Sequence, residues 1–258
     1  MAVRLEKEGS VGVIVLDRPP ANSYDYDFLR ELGSAIDDAR IDDEIRAVVV
    51  ASSSEKFFCA GADVKAFQAG SANRRAMTCI LGHEVFRKLE NTPMVVIAAI
   101  GGHALGGGLE LALACDLRFA AEGAYQLGLV ETNLGLFPGT GGTQRLPRIV
   151  GLARGIDMIA NGTTFGPTEA RELGVVDRLF PDARACREGA VAYAAKVAAG
   201  PAEAIGRAKV VATLGYGAPL DLGLALEREA IARIFVSEDA QEGIAAFTEK
   251  RKPAWKGR

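Results

Sequence analysis

Histidine and usefully spaced cysteine are scarce in this chain. His83 and His103 are its two histidines in 258 residues. Two histidines cannot supply a typical zinc site without carboxylate help, and no metal-ligand spacing is visible. Cys59, Cys79, Cys115 and Cys186 form no C-x-x-C pair. They read as buried or idle thiols of a reducing compartment. No G-K-[ST] exists, which excludes a P-loop. No G-x-S-x-G exists, which weakens a serine hydrolase reading. Positive charge is not in excess: the formal net charge is -3, so nucleic acid is not an expected partner. The opening "MAVRLEKEGS" has no apolar signal core, and a cytoplasmic location is expected. Residues 91–109 carry no formal charge, but Pro93 and five glycines interrupt them. That stretch reads as a core strand leading into a turn, not as a membrane span.

What is present is an ordinary globular balance, 49% hydrophobic against 24% charged, which argues against disorder. "VGVIVLD", "RAVVVAS", "MVVIAAI" and "DLRFA" read as strands. "YDFLRELGSAIDDAR" has the helical spacing of Phe28, Leu32 and Ile36, and a charged helix is expected from about Arg74 to Glu90. Continuous apolar strands alternating with helices imply an α/β fold with a parallel sheet buried on both faces. After about Gly162 the chain turns mostly helical and alanine-rich. No linker separates independent domains. The expected organisation is a core over residues 1–195 and a helical region over 196–258 that packs on it and makes subunit contacts.

"HALGGGLELALACD" (103–116) holds a contradiction. Its leucines and alanines read as a buried helix, yet Gly106, Gly107 and Gly108 stand at the start, and Glu110 sits among apolar neighbours. Each glycine costs about 0.5–1 kcal/mol relative to alanine inside a helix. G-x-G-x-x-G fails here, because position 111 is leucine. Close helix-on-strand packing is the commoner reason for an isolated glycine triplet. The other use is chemical: the first N–H groups of a helix lack intrahelical partners, and glycine lets a ligand atom approach them. "FFCAGADVKAF" repeats the arrangement, passing from a strand through Ala60, Gly61 and Ala62 to a helix start with Asp63 in the first turn. Two such turns form an oxyanion hole if they converge, and losing one such donor typically costs about 2.7–4 kcal/mol. "GLVETNLGLFPGTGGTQRL" then adds Glu131 in a turn-like segment. Glu110 and Glu131 near one oxyanion hole could share general acid and base work.

Together, "FFCAGADVKAF", "AAIGGHALGGGLELALACDLRFAAEGA" and "ETNLGLFPGTGGTQRLPRIVG" resemble the enoyl-CoA hydratase/isomerase, or crotonase, superfamily. "TEARELGVVDRLFP" and "EGIAAFTEKRKPAW" resemble its later segments, in the family's order. The resemblance implies a ββα spiral core, a trimerising helical C-terminus and an acyl-CoA thioester ligand. It implies a homo-oligomer, a trimer or a dimer of trimers, and no metal or redox cofactor, coenzyme A being part of the substrate.

By the same resemblance, Ala62 and Gly107 donate the two oxyanion N–H groups, flanked by Gly61 and Gly106. Ala60 stands where the backbone meets the adenine of CoA. Glu110 and Glu131 are the paired acids, and Gly139 occupies the water-side position. Two departures from the pattern are visible: Val130 replaces the proline common before the second acid, and "AAEGAYQLGLVE" is one residue longer than the usual spacing. Asn22–Ser23 matches the usual "ALN" loop only in part. In "EKRKPAWKGR" a solvated tail is the default; the resemblance implies instead that one or two bases, Lys250 among them, meet the CoA 3′-phosphate, with a subunit contact as one setting for it. The activity implied is addition of water to 2-enoyl-CoA to give 3-hydroxyacyl-CoA. An isomerase, which typically needs one of the two acids, and a non-catalytic acyl-CoA- or RNA-binding protein are the alternatives. Retention of both acids favours hydration.

Overall fold

The computed structural model describes residues 1–257. The chain opens with a hairpin of β1 (Val3–Glu8) and β2 (Val11–Leu16), followed by α1 (Tyr26–Ile41). Then come β3 (Ala47–Ser52), β4 (Phe57–Cys59), α2 (Val64–Ala69) and α3 (Ala72–Asn91). β5 (Val95–Ile100), β6 (His103–Leu105), α4 (Gly107–Leu113), β7 (Leu117–Ala121) and β8 (Leu127–Gly128) follow. A 3-10 turn (Glu131–Leu134) leads to α5 (Gly142–Val150) and α6 (Leu152–Ala160). After β9 (Thr164–Phe165), α7 (Pro167–Glu172) and β10 (Arg178–Phe180), the chain is helical: α8 (Ala183–Ala198), α9 (Ala202–Gly215), α10 (Leu220–Ile234) and α11 (Glu238–Thr248).

Two sheets organise these elements. The larger has the order β1-β2-β3-β5-β7-β10; its first pair is antiparallel and the rest are parallel. β2, β3 and β5 are buried almost throughout, as their unbroken apolar runs require. The Asp25 carboxylate caps α1 by accepting from Phe28 N at 3.0 Å, and Phe28, Leu32 and Ile36 turn inward. α8 lies on β3, β5 and β7 through Cys186, Ala190, Ala194 and Ala198, a small-residue stripe that lets it sit close. Residue 195 falls in the last turn of α8.

The smaller sheet, β4-β6-β8-β9, positions the functional residues. β4, β6 and β8 are mutually parallel neighbours of two or three residues each. Their C-terminal ends therefore open on one side. Each end delivers a turn: β4 the residues 60–63, β6 the glycine triplet, β8 the 3-10 turn that starts at Glu131. This is the physical reason that three segments far apart in sequence meet.

Candidate active site

Gly61, with φ +85°, brings the first turn onto the second. A Cβ placed on it would stand 2.9 Å from Gly107 N and 2.8 Å from Leu105 O. The backbone of Tyr24 clamps the first turn: Tyr24 N donates to Gly61 O at 2.9 Å, and Asp63 N donates to Tyr24 O at 2.8 Å. Ala60 N donates to Ala21 O at 3.0 Å. Asp63 caps α2, accepting from Lys65 N and Ala66 N, and stands 3.5 Å from Arg18. Asn22 braces the turn from below through Nδ2, which donates to Ser52 Oγ at 2.8 Å and to Phe58 O at 3.1 Å. Asn22 belongs to the segment that matched its family pattern only in part.

The three glycines have three separate reasons. Gly106 has φ +52° and ψ -127°, a region closed to side-chain-bearing residues, and the Glu131 carboxyl lies against it. The ring and hydroxyl of Tyr24 cover Gly107, and a Cβ on Gly108 would fall 1.9 Å from Cys59 O. Close packing and backbone conformation thus require all three glycines. Among the described residues, no group accepts a hydrogen bond from the N–H of Ala62 or of Gly107.

The two acids differ in their surroundings. Glu110 is buried on α4 and accepts three hydrogen bonds. Its Oε1 accepts from Thr140 N at 2.8 Å and Gly142 N at 2.7 Å, and its Oε2 accepts from the Thr140 hydroxyl. Glu131 starts the 3-10 turn half-buried. Its Oε2 is buried and without a hydrogen-bond partner among the described residues. Burial, and then the nearby charge of Glu110, push its carboxyl up to about 7. With Val130 before it, Glu131 faces the glycine turn. Gly139 faces α3, where a Cβ on it would meet Cys79 Sγ at 3.5 Å. Burial and Glu110 raise the Cys79 thiol.

Lys250 is not brought to this group. It is exposed just past α11, and no hydrogen bond or ion pair joins it to the turns among the described residues. The tail beyond it is tied elsewhere. Asp239 accepts from Lys256 N at 2.6 Å and Gly257 N at 2.8 Å, and Arg46 donates to Lys256 O at 2.8 Å. Two residues at the site escaped the sequence reading. Thr140 lies inside the quoted "PGTGG" segment, but nothing in the local pattern reveals that its hydroxyl faces Glu110. Tyr24 belongs to no motif in the sequence, and its hydroxyl contact at 3.4 Å from Thr140 Oγ1 spans 116 positions.

Comparisons with known proteins give the family of the chain. The family model described as "Enoyl-CoA hydratase/isomerase" matches residues 6–258. A probable enoyl-CoA hydratase of Bacillus subtilis is 40% identical over 257 residues, covering 99% of each chain. A short-chain-enoyl-CoA hydratase of Clostridium acetobutylicum is 37% identical, covering 97% of this chain and 95% of its own. The crystal structure of an enoyl-CoA hydratase from Geobacillus kaustophilus superposes with a TM-score of 0.96 at 42% identity, over 100% of this chain and 97% of that one. By sequence and by fold alike, the chain belongs to the enoyl-CoA hydratase/isomerase family.

Proposed function

We propose how this chain hydrates 2-enoyl-CoA thioesters to 3-hydroxyacyl-CoA. The observation that carries the reading is the pairing of opposite carboxyls, Glu110 held by three donors and Glu131 with a buried oxygen unpartnered, beside two unengaged N–H groups. Donors to a carboxylate favour its charged form, and burial without donors favours the neutral acid. Glu110 is then the base and Glu131 the acid.

In the proposed reaction the thioester oxygen lies between Ala62 N–H and Gly107 N–H. Water attacks C3 as Glu110 takes its proton. The C2–C3 electron pair moves onto the thioester oxygen, and the two N–H groups hold the enolate as charge develops. The enolate then collapses as C2 takes the proton of Glu131. Glu110 returns its proton to Glu131 before the next turnover. Gly61 and Gly106 shape the oxyanion turns, Ala60 and Asp63 lie along the CoA path, and Gly139 faces the attacking water. The reaction so drawn uses no metal or redox cofactor.

Lys250 is assigned to the CoA 3′-phosphate of a neighbouring copy, since it stands apart from its own chain's turns. The assembly proposed is a homotrimer or a dimer of trimers in the cytoplasm. Leu220, Leu222, Leu224, Ile231 and Phe235 leave α10 and its end with apolar side chains exposed, which supports that assembly.

The test is loss of the enoyl thioester absorbance of crotonyl-CoA, with 3-hydroxybutyryl-CoA identified by mass. Conversion of 3-enoyl-CoA to 2-enoyl-CoA without net hydration would overturn the reading in favour of an isomerase. A panel of short, long, branched and aromatic enoyl-CoAs then sets the acyl preference.

A further inference from the structure

Tyr24 joins the first turn, the glycine triplet and the Thr140 segment. Its backbone pairs with Gly61 and Asp63, its ring lies on Gly107, and its hydroxyl stands 3.4 Å from Thr140 Oγ1. The ring is fixed in the core, edge-on to Phe86 at 6.1 Å and tilted against Phe28 at 6.5 Å. Tyr24 is 4% exposed, and Thr140 is 2% exposed. Neither hydroxyl is a member of the acid pair or of the oxyanion donors.

The direction of these bonds is determined. Glu110 accepts from Thr140 Oγ1, so the threonine hydrogen is spent on the carboxylate. The Thr140 oxygen is then free to accept, and the Tyr24 hydroxyl is the donor that faces it. Oε1 of Glu110 already takes two backbone N–H groups. Oε2 takes one hydroxyl and keeps a lone pair.

We propose that Tyr24 and Thr140 form a hydroxyl chain, Tyr24 to Thr140 to Glu110, that aims Oε2 of Glu110 at the attacking water. Both are positioning residues. The inference rests on the hydratase reading for its kinetic part and on geometry alone for the chain itself. It also ties base to oxyanion hole, because the residue that feeds Thr140 is the one that clamps the Gly61 turn and covers Gly107.

The groups facing this chain are few. Glu131 faces it from the 3-10 turn, Cys79 from α3, and Arg145 from α5, where the guanidinium donates to Thr140 O at 2.9 Å and pairs with Glu90. None of them supplies a proton donor to Oε2.

The experiment compares Thr140→Val, Thr140→Ser and Tyr24→Phe with the parent chain. Removing a donor to the charged form favours protonation, so the acid limb of kcat/KM for crotonyl-CoA should move up. We expect about one pH unit for Thr140→Val, with kcat down about tenfold and KM within about twofold, given the strength of a hydrogen bond to a charged group. Thr140→Ser should restore both. Tyr24→Phe keeps the ring and should shift the limb in the same direction by less. A second readout needs no turnover: the infrared carboxyl band that vanishes in Glu110→Gln, titrated in each variant. An unmoved band in Thr140→Val overturns the proposal. If that variant fails to fold, Tyr24→Phe with an unmoved band overturns it equally. A parent chain that does not hydrate crotonyl-CoA overturns the hydratase reading instead, while the infrared titration still decides the hydroxyl chain.

Discussion

The carboxyl of Glu131 rests on the backbone of Gly106, so closely that a Cβ on Gly106 would stand 2.9 Å from Oε1. Gly106→Ala therefore meets two penalties, the strain of a side chain at φ +52° and displacement of the acid. The expected loss is about 1–3 kcal/mol of stability together with at least a tenfold fall in hydration. Urea unfolding and crotonyl-CoA turnover on the same preparation measure both. Unchanged turnover would detach Glu131 from the chemistry.

Gly107 separates crowding from donation. Alanine and proline both place a Cβ against the Tyr24 hydroxyl, but only proline removes the N–H. Gly107→Pro should be slower than Gly107→Ala by at least about a hundredfold, the scale of one oxyanion donor. Equal rates in two folded variants would mean that this N–H does not meet the thioester oxygen.

The paired acids should fail separately. Glu110→Gln and Glu131→Gln are each expected to lower hydration by at least about a hundredfold, since general acid–base catalysis contributes about 10²–10⁴-fold. The double variant should be little worse than either, because residues that act as a unit within one turnover do not add. Binding of a non-reactive acyl-CoA analogue should change much less. Parental hydration by Glu110→Gln would make that residue structural.

The raised carboxyl of Glu131 carries two pH effects. As the acid it must hold its proton, so hydration should fall as pH rises through about 7. Stability should follow. The folded chain keeps the Glu131 proton up to about 7 while the unfolded chain loses it near 4.5, so the fold loses stability between those values. The penalty above pH 7 is at most about 3 kcal/mol. Glu131→Gln lacks it, and its urea midpoint should gain on the parent from pH 5 to pH 8. A constant difference across that range would refute the assignment.

The exposed apolar side chains of α10 predict association. Light scattering at micromolar concentration should give three or six times the 27.2 kDa of one chain. A mass of one chain would sink the oligomer and, with it, the assignment of Lys250 to a neighbour's CoA.

What the sequence determined by itself was local and periodic. β2, β3 and β5 are legible as apolar runs, α1 by its Phe28, Leu32, Ile36 stripe, and the turns after β4 and β6 by glycine at two strand-to-helix junctions. Such patterns need only a few consecutive residues. Tertiary structure decided the rest. β6 and β8 are too short to show a period, yet their parallel pairing beside β4 is what brings Ala62, Gly107 and Glu131 to one side. The different surroundings of Glu110 and Glu131 came from non-local causes: Thr140 and Gly142 donate to one across 30 and 32 positions, and burial isolates the other. Tyr24 and Thr140 entered the site only through a contact between distant segments. Composition and spacing name the groups a chain owns; hydrogen bonding and desolvation, which set their protonation, depend on who the neighbours are after folding.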